Sequence, residues 1–174
     1  RTYLRAKRFL DIVLSSVILV LAAPLFLMII ISIRVDSKGK AFFSQERLGL
    51  QRKPFRCIKF RTMVENAESI SGPTWSSEGD PRITRVGRFL RKTRLDELPQ
   101  LWNILKGEMS FVGPRPEVPF YVDMFTEEEK GILSVRPGIT DWACLWNSDE
   151  GAMLAGAEDP EKRYMEEIRP KKIK

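Results

Sequence analysis

The chain has 174 residues, 29 Lys and Arg against 23 Asp and Glu for a net charge of +6, 43% hydrophobic residues, two cysteines and no histidine, the size of one domain. Without histidine there is no Ser-His-Asp or Cys-His couple and no imidazole-bound zinc, so chemistry must run on carboxylates, lysine, arginine, hydroxyls or an ion held by hard oxygens, magnesium above all. Cys57 and Cys144 allow one disulfide at most, which excludes a disulfide scaffold, and the excess of positive charge points to phosphate-rich partners: nucleic acid, nucleotide or an anionic membrane surface.

The chain opens on Arg1, as a trimmed chain does, and from Phe9 to Val35 it is almost wholly apolar, with Asp11 and Arg34 the only charges. The run is long enough for a spanning helix. Pro24 stands near its middle after Ala22 and Ala23, where its ring removes a backbone donor and crowds the preceding turn, so the spacing predicts a break at Ala23 and Pro24. Basic residues flank both ends, Arg1, Arg5, Lys7 and Arg8 before and Arg34, Lys38 and Lys40 after, so neither end is the more cytosolic by charge. A helix-break-helix over residues 1–36 that enters one leaflet and returns satisfies both signals. A plain single-pass helix stays open beside it, since spanning helices tolerate proline. A secretory signal fits worse, because Leu25 to Ile33 continues apolar beyond the roughly 7–15 residues such a segment needs.

Residues 37–174 read as a cytosolic domain. Lys40 to Gln45 and Pro54 to Met63 are two extended segments around a Gly49-containing loop, a β-hairpin in which Cys57, Lys59 and Arg61 alternate onto one face, so that two cations reach the same anion. A solvated basic face is the plainer alternative. Val64 to Pro81 is polar and turn-rich, as a mobile loop is.

Arg82 to Pro116 is the most informative stretch. Arg85, Arg88 and Arg91 repeat at three-residue spacing with Val86, Phe89 and Leu90 on another side, which predicts a short amphipathic helix with a cationic stripe. A second helix follows, in which Leu98, Leu101, Trp102 and Leu105 are apolar and Gly107 is the stop; Asp96 is placed as its N-cap. Two adjacent acids at a helix start complement the macrodipole without any chemistry. Seven cations surround this pair, however, and cations keep carboxylates ionised and draw phosphates toward them. Consecutive helical residues point about 100° apart, so Asp96 and Glu97 are suited to different work, one attacking and one holding a metal. Arg115 is fixed between Pro114 and Pro116, which suits bidentate phosphate recognition.

Pro119 to Leu133 reads as a further helix, Val135 to Thr140 as a turn into an apolar Trp142 to Trp146 segment, and Pro160 to Lys174 as an amphipathic or interfacial helix stopped by Pro170. The fold class is therefore mixed α/β, mostly helical, with a small hairpin, a re-entrant N-terminal helix and interfacial helices. No Gly-rich strand-to-helix turn marks a Rossmann sheet.

The order of Lys7-Arg8, the Pro-broken apolar run, Lys59-Phe60-Arg61-Thr62-Met63, Leu95-Asp96-Glu97-Leu98-Pro99-Gln100-Leu101-Trp102-Asn103, Gly113-Pro114-Arg115-Pro116 and Pro137-Gly138-Ile139-Thr140 resembles the bacterial sugar transferases, the small monotopic polyprenyl-phosphate phosphoglycosyl transferases. The resemblance implies transfer of a phospho-sugar from a nucleotide sugar, usually a UDP-sugar, to polyprenyl (undecaprenyl) phosphate. It places the reaction on the cytosolic face of the bacterial inner membrane, as the first membrane step of glycan assembly. It implies Asp96 as nucleophile, Glu97 as ligand to Mg2+, and Lys59, Arg61, Arg88, Arg91 and Arg115 as phosphate-binding cations, with Arg115 and Arg91 foremost. Anionic lipids are implied partners, a homo-oligomer is left open, and nucleic acid is not expected. Two departures stand out. Ala23 replaces the serine that often precedes the membrane proline, and Asp141-Trp142-Ala143-Cys144 replaces a Gly-Trp-Ala-Gln segment and lacks the arginine that follows it, so the sugar is not fixed by the motifs. A membrane-tethered basic binding module and an inactive scaffold are the competing functions.

Overall fold

In a computed structural model of the chain, which describes residues 2–67, 80–141, 153 and 160–168, the apolar N-terminus forms two helices, α1 (Thr2–Leu21) and α2 (Ala23–Asp36), bent by 61° to one another. Pro24 lies in the first turn of α2, where a missing N–H breaks no hydrogen bond, and Ala22 keeps its bond to the Ile18 carbonyl at 2.8 Å. The break therefore forms at the expected place with alanine at position 23. Among the described residues no single helix is long and apolar enough to cross a membrane, whereas the bent pair together passes that test. Leu10, Val20, Leu21, Leu27 and Val35 are all more than half exposed, an outer surface that water does not favour.

The inner side of α1 is tied down by polar groups. Lys7 donates to the Ser110 hydroxyl and to the Val112 carbonyl (3.0 Å), and Arg8 donates to the Ile104 and Leu105 carbonyls at 2.5 and 2.7 Å. Buried Asp11 accepts from the Ser110 hydroxyl at 2.9 Å and from the Phe111 N–H at 3.3 Å. Lys7 and Arg8, counted from the sequence among the basic flanks of the apolar run, are engaged with the rest of the protein.

Strands β1 (Phe42–Leu48) and β2 (Pro54–Phe60) form the expected hairpin, antiparallel with Phe42 opposite Phe60 and Gln45 opposite Cys57. Helix α3 (Arg85–Thr93) follows, then a 3-10 turn (Leu95–Glu97) and helix α4 (Gln100–Lys106). Val135 to Thr140 is not only a turn: β4 (Gly138–Thr140) pairs in parallel with β3 (Ser110–Val112). A Cβ on Gly138 would lie 2.2 Å from the Gly113 N, so this crossing requires glycine.

The single helix expected from Pro119 to Leu133 is instead α5 (Pro119–Val122) and a separate 3-10 segment, Glu129–Ser134. Thr126 and Glu129 explain the interruption, because each side chain accepts the other's backbone N–H (3.2 and 2.7 Å), a capping box that starts a new turn. Helix α6 (Pro160–Arg163) runs on as a π-helical turn, Tyr164–Ile168. It is amphipathic as expected, but Tyr164 and Ile168 are buried in protein rather than laid on an interface. The mobile-loop expectation falls largely on residues 68–79, and Trp142 to Trp146 and the end of the last helix also lie outside the described residues.

Two apolar clusters bracket the α3–α4 turn. Ile29 and Ile33 of α2 pack with Ala41, Phe60 and Leu90 on one side, and Phe55, Cys57, Leu101, Ile104 and Met109 pack on the other. Cys57 is a buried free thiol. Phe89 and Trp102, apolar positions of α3 and α4, are 59% and 49% exposed.

Candidate active site

The site begins with the way α3 is started and stopped. The Thr84 hydroxyl accepts the Gly87 N–H and the Asp36 carboxylate accepts the Val86 N–H, both at 2.9 Å, so two side chains cap the first turn. A Cβ on Gly87 would meet the Thr62 carbonyl at 2.0 Å; glycine lets the helix lie against the chain that leaves β2. Arg94 at φ 59° ends α3 in the left-handed region and turns the chain into Leu95–Glu97. Asp96 is consequently not the N-cap of the second helix. Pro99 stands at that position, with no side-chain cap, and the two acids occupy a tight turn between helices.

Asp96 and Glu97 are equally buried, at 8% exposure each, and differently served. Glu97 Oε1 accepts Lys59 Nζ at 2.7 Å and Arg115 Nη2 at 3.4 Å. Burial pushes the Glu97 carboxyl up, but Lys59 and Arg115 overcome it and hold the pKa down at about 2. No described residue donates a hydrogen bond to Asp96, whose pKa burial raises against the pull of Lys59, Arg91 and Arg94. Two carboxylates driven in opposite directions by their surroundings suit two roles.

Each supporting cation has its own scaffold. Lys59 is carried by β2, and fully buried Asn103 staples α4 to that strand, accepting the Ile58 N–H at 3.1 Å and donating to the Arg56 carbonyl at 2.8 Å. Arg91 donates from Nε to the Thr62 hydroxyl at 2.8 Å and lies in the field of Asp96. The Arg115 N–H donates to Asp141 at 3.1 Å, and Arg47 holds the same loop through the Pro116 carbonyl at 3.1 Å.

Of the residues singled out from the sequence, Asp96, Glu97, Lys59, Arg91 and Arg115 converge, and Arg94, one of the seven cations counted around the acids, lies in the field of both. Arg61 does not join them. Strand β2 ends at Phe60, so the alternation stops there, and the guanidinium of Arg61 turns to the Lys38 carbonyl and to the Ser37 carbonyl and hydroxyl (2.8 and 2.9 Å), bracing the end of α2. The Arg88 side chain is exposed on α3 and donates no hydrogen bond to a described residue. Ala23 and Pro24 lie at the bend, and the residues after them, Leu25 and Phe26, pack on the same apolar cluster as Leu95 and Leu98 on either side of the acids. Arg47 and Asn103 were missed. The hairpin register could have found Arg47, since it stands opposite Phe55 and so shares a face with Cys57 and Lys59.

Among the described residues there is no group of three or more acids or cysteines able to enclose a metal. Magnesium needs no such cage, because one or two carboxylates and substrate phosphates usually hold it. Glu97 Oε2, which accepts no hydrogen bond from a described residue, is an oxygen of that kind.

The model of the bacterial sugar transferase family matches residues 2–169 of the chain. A Bacillus subtilis protein provisionally named an undecaprenyl-phosphate N-acetylgalactosaminyl 1-phosphate transferase is 46% identical over 129 residues, which are 74% of this chain and 72% of that protein. The UDP-N-acetylgalactosamine-undecaprenyl-phosphate N-acetylgalactosaminephosphotransferase of Aeromonas hydrophila is 43% identical over 144 residues, 81% of this chain and 34% of that protein. The UDP-glucose:undecaprenyl-phosphate glucose-1-phosphate transferase of Escherichia coli is 40% identical over 164 residues, 90% of this chain and 34% of that protein. The match thus takes in most of the first relative and about a third of each of the other two.

Proposed function

The chain belongs to the bacterial sugar transferase family, and from that premise we propose that it moves a sugar-1-phosphate from a UDP-sugar to undecaprenyl phosphate through a covalent intermediate on Asp96. The observation that carries this reading is the split dyad: Glu97 is clamped by Lys59 and Arg115, and Asp96, one residue away and equally buried, accepts no hydrogen bond from the described residues. A desolvated carboxylate left free of donors is a group held ready to attack.

The chemistry divides into two displacements. An Asp96 oxygen bonds to the β-phosphorus as the bond from that phosphorus to the bridging oxygen breaks, and the electron pair leaves on UMP. An oxygen of the lipid phosphate then bonds to the same phosphorus, the bond to Asp96 breaks, and the carboxylate is regenerated with the sugar diphosphate now on the lipid. Lys59, Arg91, Arg94 and Arg115 gather positive charge where two polyanions and a carboxylate must meet. Magnesium, when bound, would neutralise charge developing on the diphosphate, and Glu97 is the residue that would hold it.

The bent pair α1–α2 supports a re-entrant anchor at the cytosolic face of the inner membrane, with 1–36 as anchor and 37–174 as catalytic domain. The bend and the basic residues at both ends favour this placement over a straight span. Intact-protein mass after mixing with a panel of UDP-sugars and magnesium, without lipid, tests the reaction. One added phospho-sugar on the wild-type protein and none on Asp96→Asn is the expected result; equal adduct on both would move the nucleophile elsewhere, and no UMP release with undecaprenyl phosphate present would overturn the function.

A further inference from the structure

Between α2 and α3 lies an open groove of about 600 Å³ lined by Ile31, Ser32, Val35, Asp36, Arg85 and Val86. One wall is membrane helix: Met28, Ile31 and Val35, a helical stripe at spacings of three and four, are 59%, 54% and 83% exposed. The other wall is the start of the cationic helix. We propose that this groove takes the acceptor lipid, its polyprenyl chain against Ile31 and Val35 and its phosphate drawn along Arg85 and Arg88 to Arg91 beside Asp96. The inference rests on the reading above, in which the acceptor is a polyprenyl phosphate.

Charge complementarity selects this occupant. The guanidinium groups of Arg85 and Arg88 are exposed and donate no hydrogen bond to a described residue; Arg85 lies in the field of Asp36 across the groove, yet its donors, like those of Arg88, remain open to an anion. From Arg85 to Arg91 is six residues, about 9 Å of helix rise. The stripe therefore begins at the groove and ends at a residue held by Thr62 and coupled to the nucleophile. The floor of the groove repels phosphate. Asp36 places a carboxylate there, already accepting the Val86 N–H at 2.9 Å, and the Ser32 hydroxyl donates to its own helix at the Met28 carbonyl (2.8 Å). An anion is thus turned from the floor onto the arginines, while an apolar chain finds Ile31 and Val35 continuous with the apolar outer surface of α1 and α2. A bulk phospholipid fits the apolar wall equally well, but its phosphodiester carries one negative charge where a polyprenyl phosphomonoester carries up to two, so the arginines draw the acceptor more strongly.

The two displacements allow a test that separates the groove from the reaction. In nanodiscs, the rate of phospho-sugar addition to the protein from a UDP-sugar is followed by mass without acceptor, and its discharge is then followed after adding undecaprenyl phosphate. Arg85→Glu and, independently, Val35→Trp are expected to load at a rate within twofold of wild type and to discharge at least tenfold more slowly, with Arg85→Lys restoring most of the loss. Wild-type discharge in both variants would overturn the groove and leave the reaction standing, and so would an equal fall in loading and discharge. If wild-type protein never loads, the reaction fails instead. A photo-crosslinker at Val35 then decides the groove alone: capture of undecaprenyl phosphate over excess phosphatidylglycerol supports it, and capture in proportion to lipid abundance makes it a general lipid surface.

Discussion

Two regions of the molecule bury acids, and they treat them in opposite ways. At the α1–β3 contact Asp11 accepts from the Ser110 hydroxyl and the Phe111 N–H, with Lys7 bonded to the same hydroxyl. In the turn between α3 and α4, Glu97 is served by Lys59 and Arg115, yet Asp96 receives no hydrogen bond from the described residues and is desolvated all the same. A buried carboxylate costs stability unless it is paired. The contrast separates Asp11, whose partners on β3 make it a joint between elements, from Asp96, which is buried without a donor and so fits the proposed role of reagent.

The sharpest way to break that contrast is to neutralise each acid in turn. Asp96→Asn is expected to lower the rate of phospho-sugar transfer by at least about 10⁴-fold, the scale on which loss of a nucleophile is usually felt. Because it removes an unserved buried charge, it should leave the melting temperature unchanged or raise it. Asp11→Ala should do the reverse. It strands the buried Ser110 hydroxyl, a cost of about 1–3 kcal/mol for a buried group left unpaired, and frees the half-buried Phe111 N–H, so thermal unfolding in nanodiscs should fall clearly while any protein still folded loads sugar phosphate. If both substitutions destabilise, or both abolish loading, the distinction between joint and reagent fails.

Lys59 links the two acids of the dyad and gives the next effect. It pulls down the pKa of both, and the Asp96 carboxyl is already raised by burial. Attack requires ionised Asp96, so Lys59→Met should move the acid limb of the loading rate to higher pH, and Lys59→Arg should return it. The stability consequence has a definite sign. Glu97 sits at about 2 when folded against an ordinary 4.5, so its contribution is fully present above pH 4.5 and is lost as pH falls toward 2. Wild type should lose stability in that window and Lys59→Met should lose less, measured by denaturant unfolding at pH 5 and pH 3. An unshifted acid limb in Lys59→Met would place Lys59 outside the electrostatics of attack.

Much of the site was legible because its residues come in short runs with local rules. Asp96-Glu97, the arginines at three-residue spacing and the fixed Arg115 could be read directly, and the Pro24 break follows from one ring. What was misread depends on where elements stop. Asp96 looked like an N-cap because the left-handed turn at Arg94 cannot be inferred from an arginine, and Arg61 looked like a partner of Lys59 because alternation was carried one residue past the end of β2. The role of Lys7, Arg8 and Asp11 was hidden for a different reason. Their partners at Ser110, Ile104 and Leu105 are about a hundred residues away, and an apolar helix with basic flanks reads the same whether its inner side meets lipid or protein. The parallel pairing of β3 with β4 escaped likewise, since three-residue strands leave almost no periodicity to detect.

The smallest effect tests the satisfied side of the contrast where it comes closest to the site. The Thr84 hydroxyl accepts the Gly87 N–H at the start of α3, nine residues after which the chain turns toward Asp96. Thr84→Ala removes one cap while Asp36 keeps the neighbouring N–H, so the loss should be about 1 kcal/mol. If satisfied polar groups are joints only, the pH profile of loading should not move, because Asp96 is governed by its burial and by the charges of Lys59, Glu97, Arg91 and Arg94, and none of these side chains bonds to the cap. A shifted profile in Thr84→Ala would mean that the cap holds Arg91 in register with Asp96, and that a satisfied joint can set the reactivity of an unsatisfied acid.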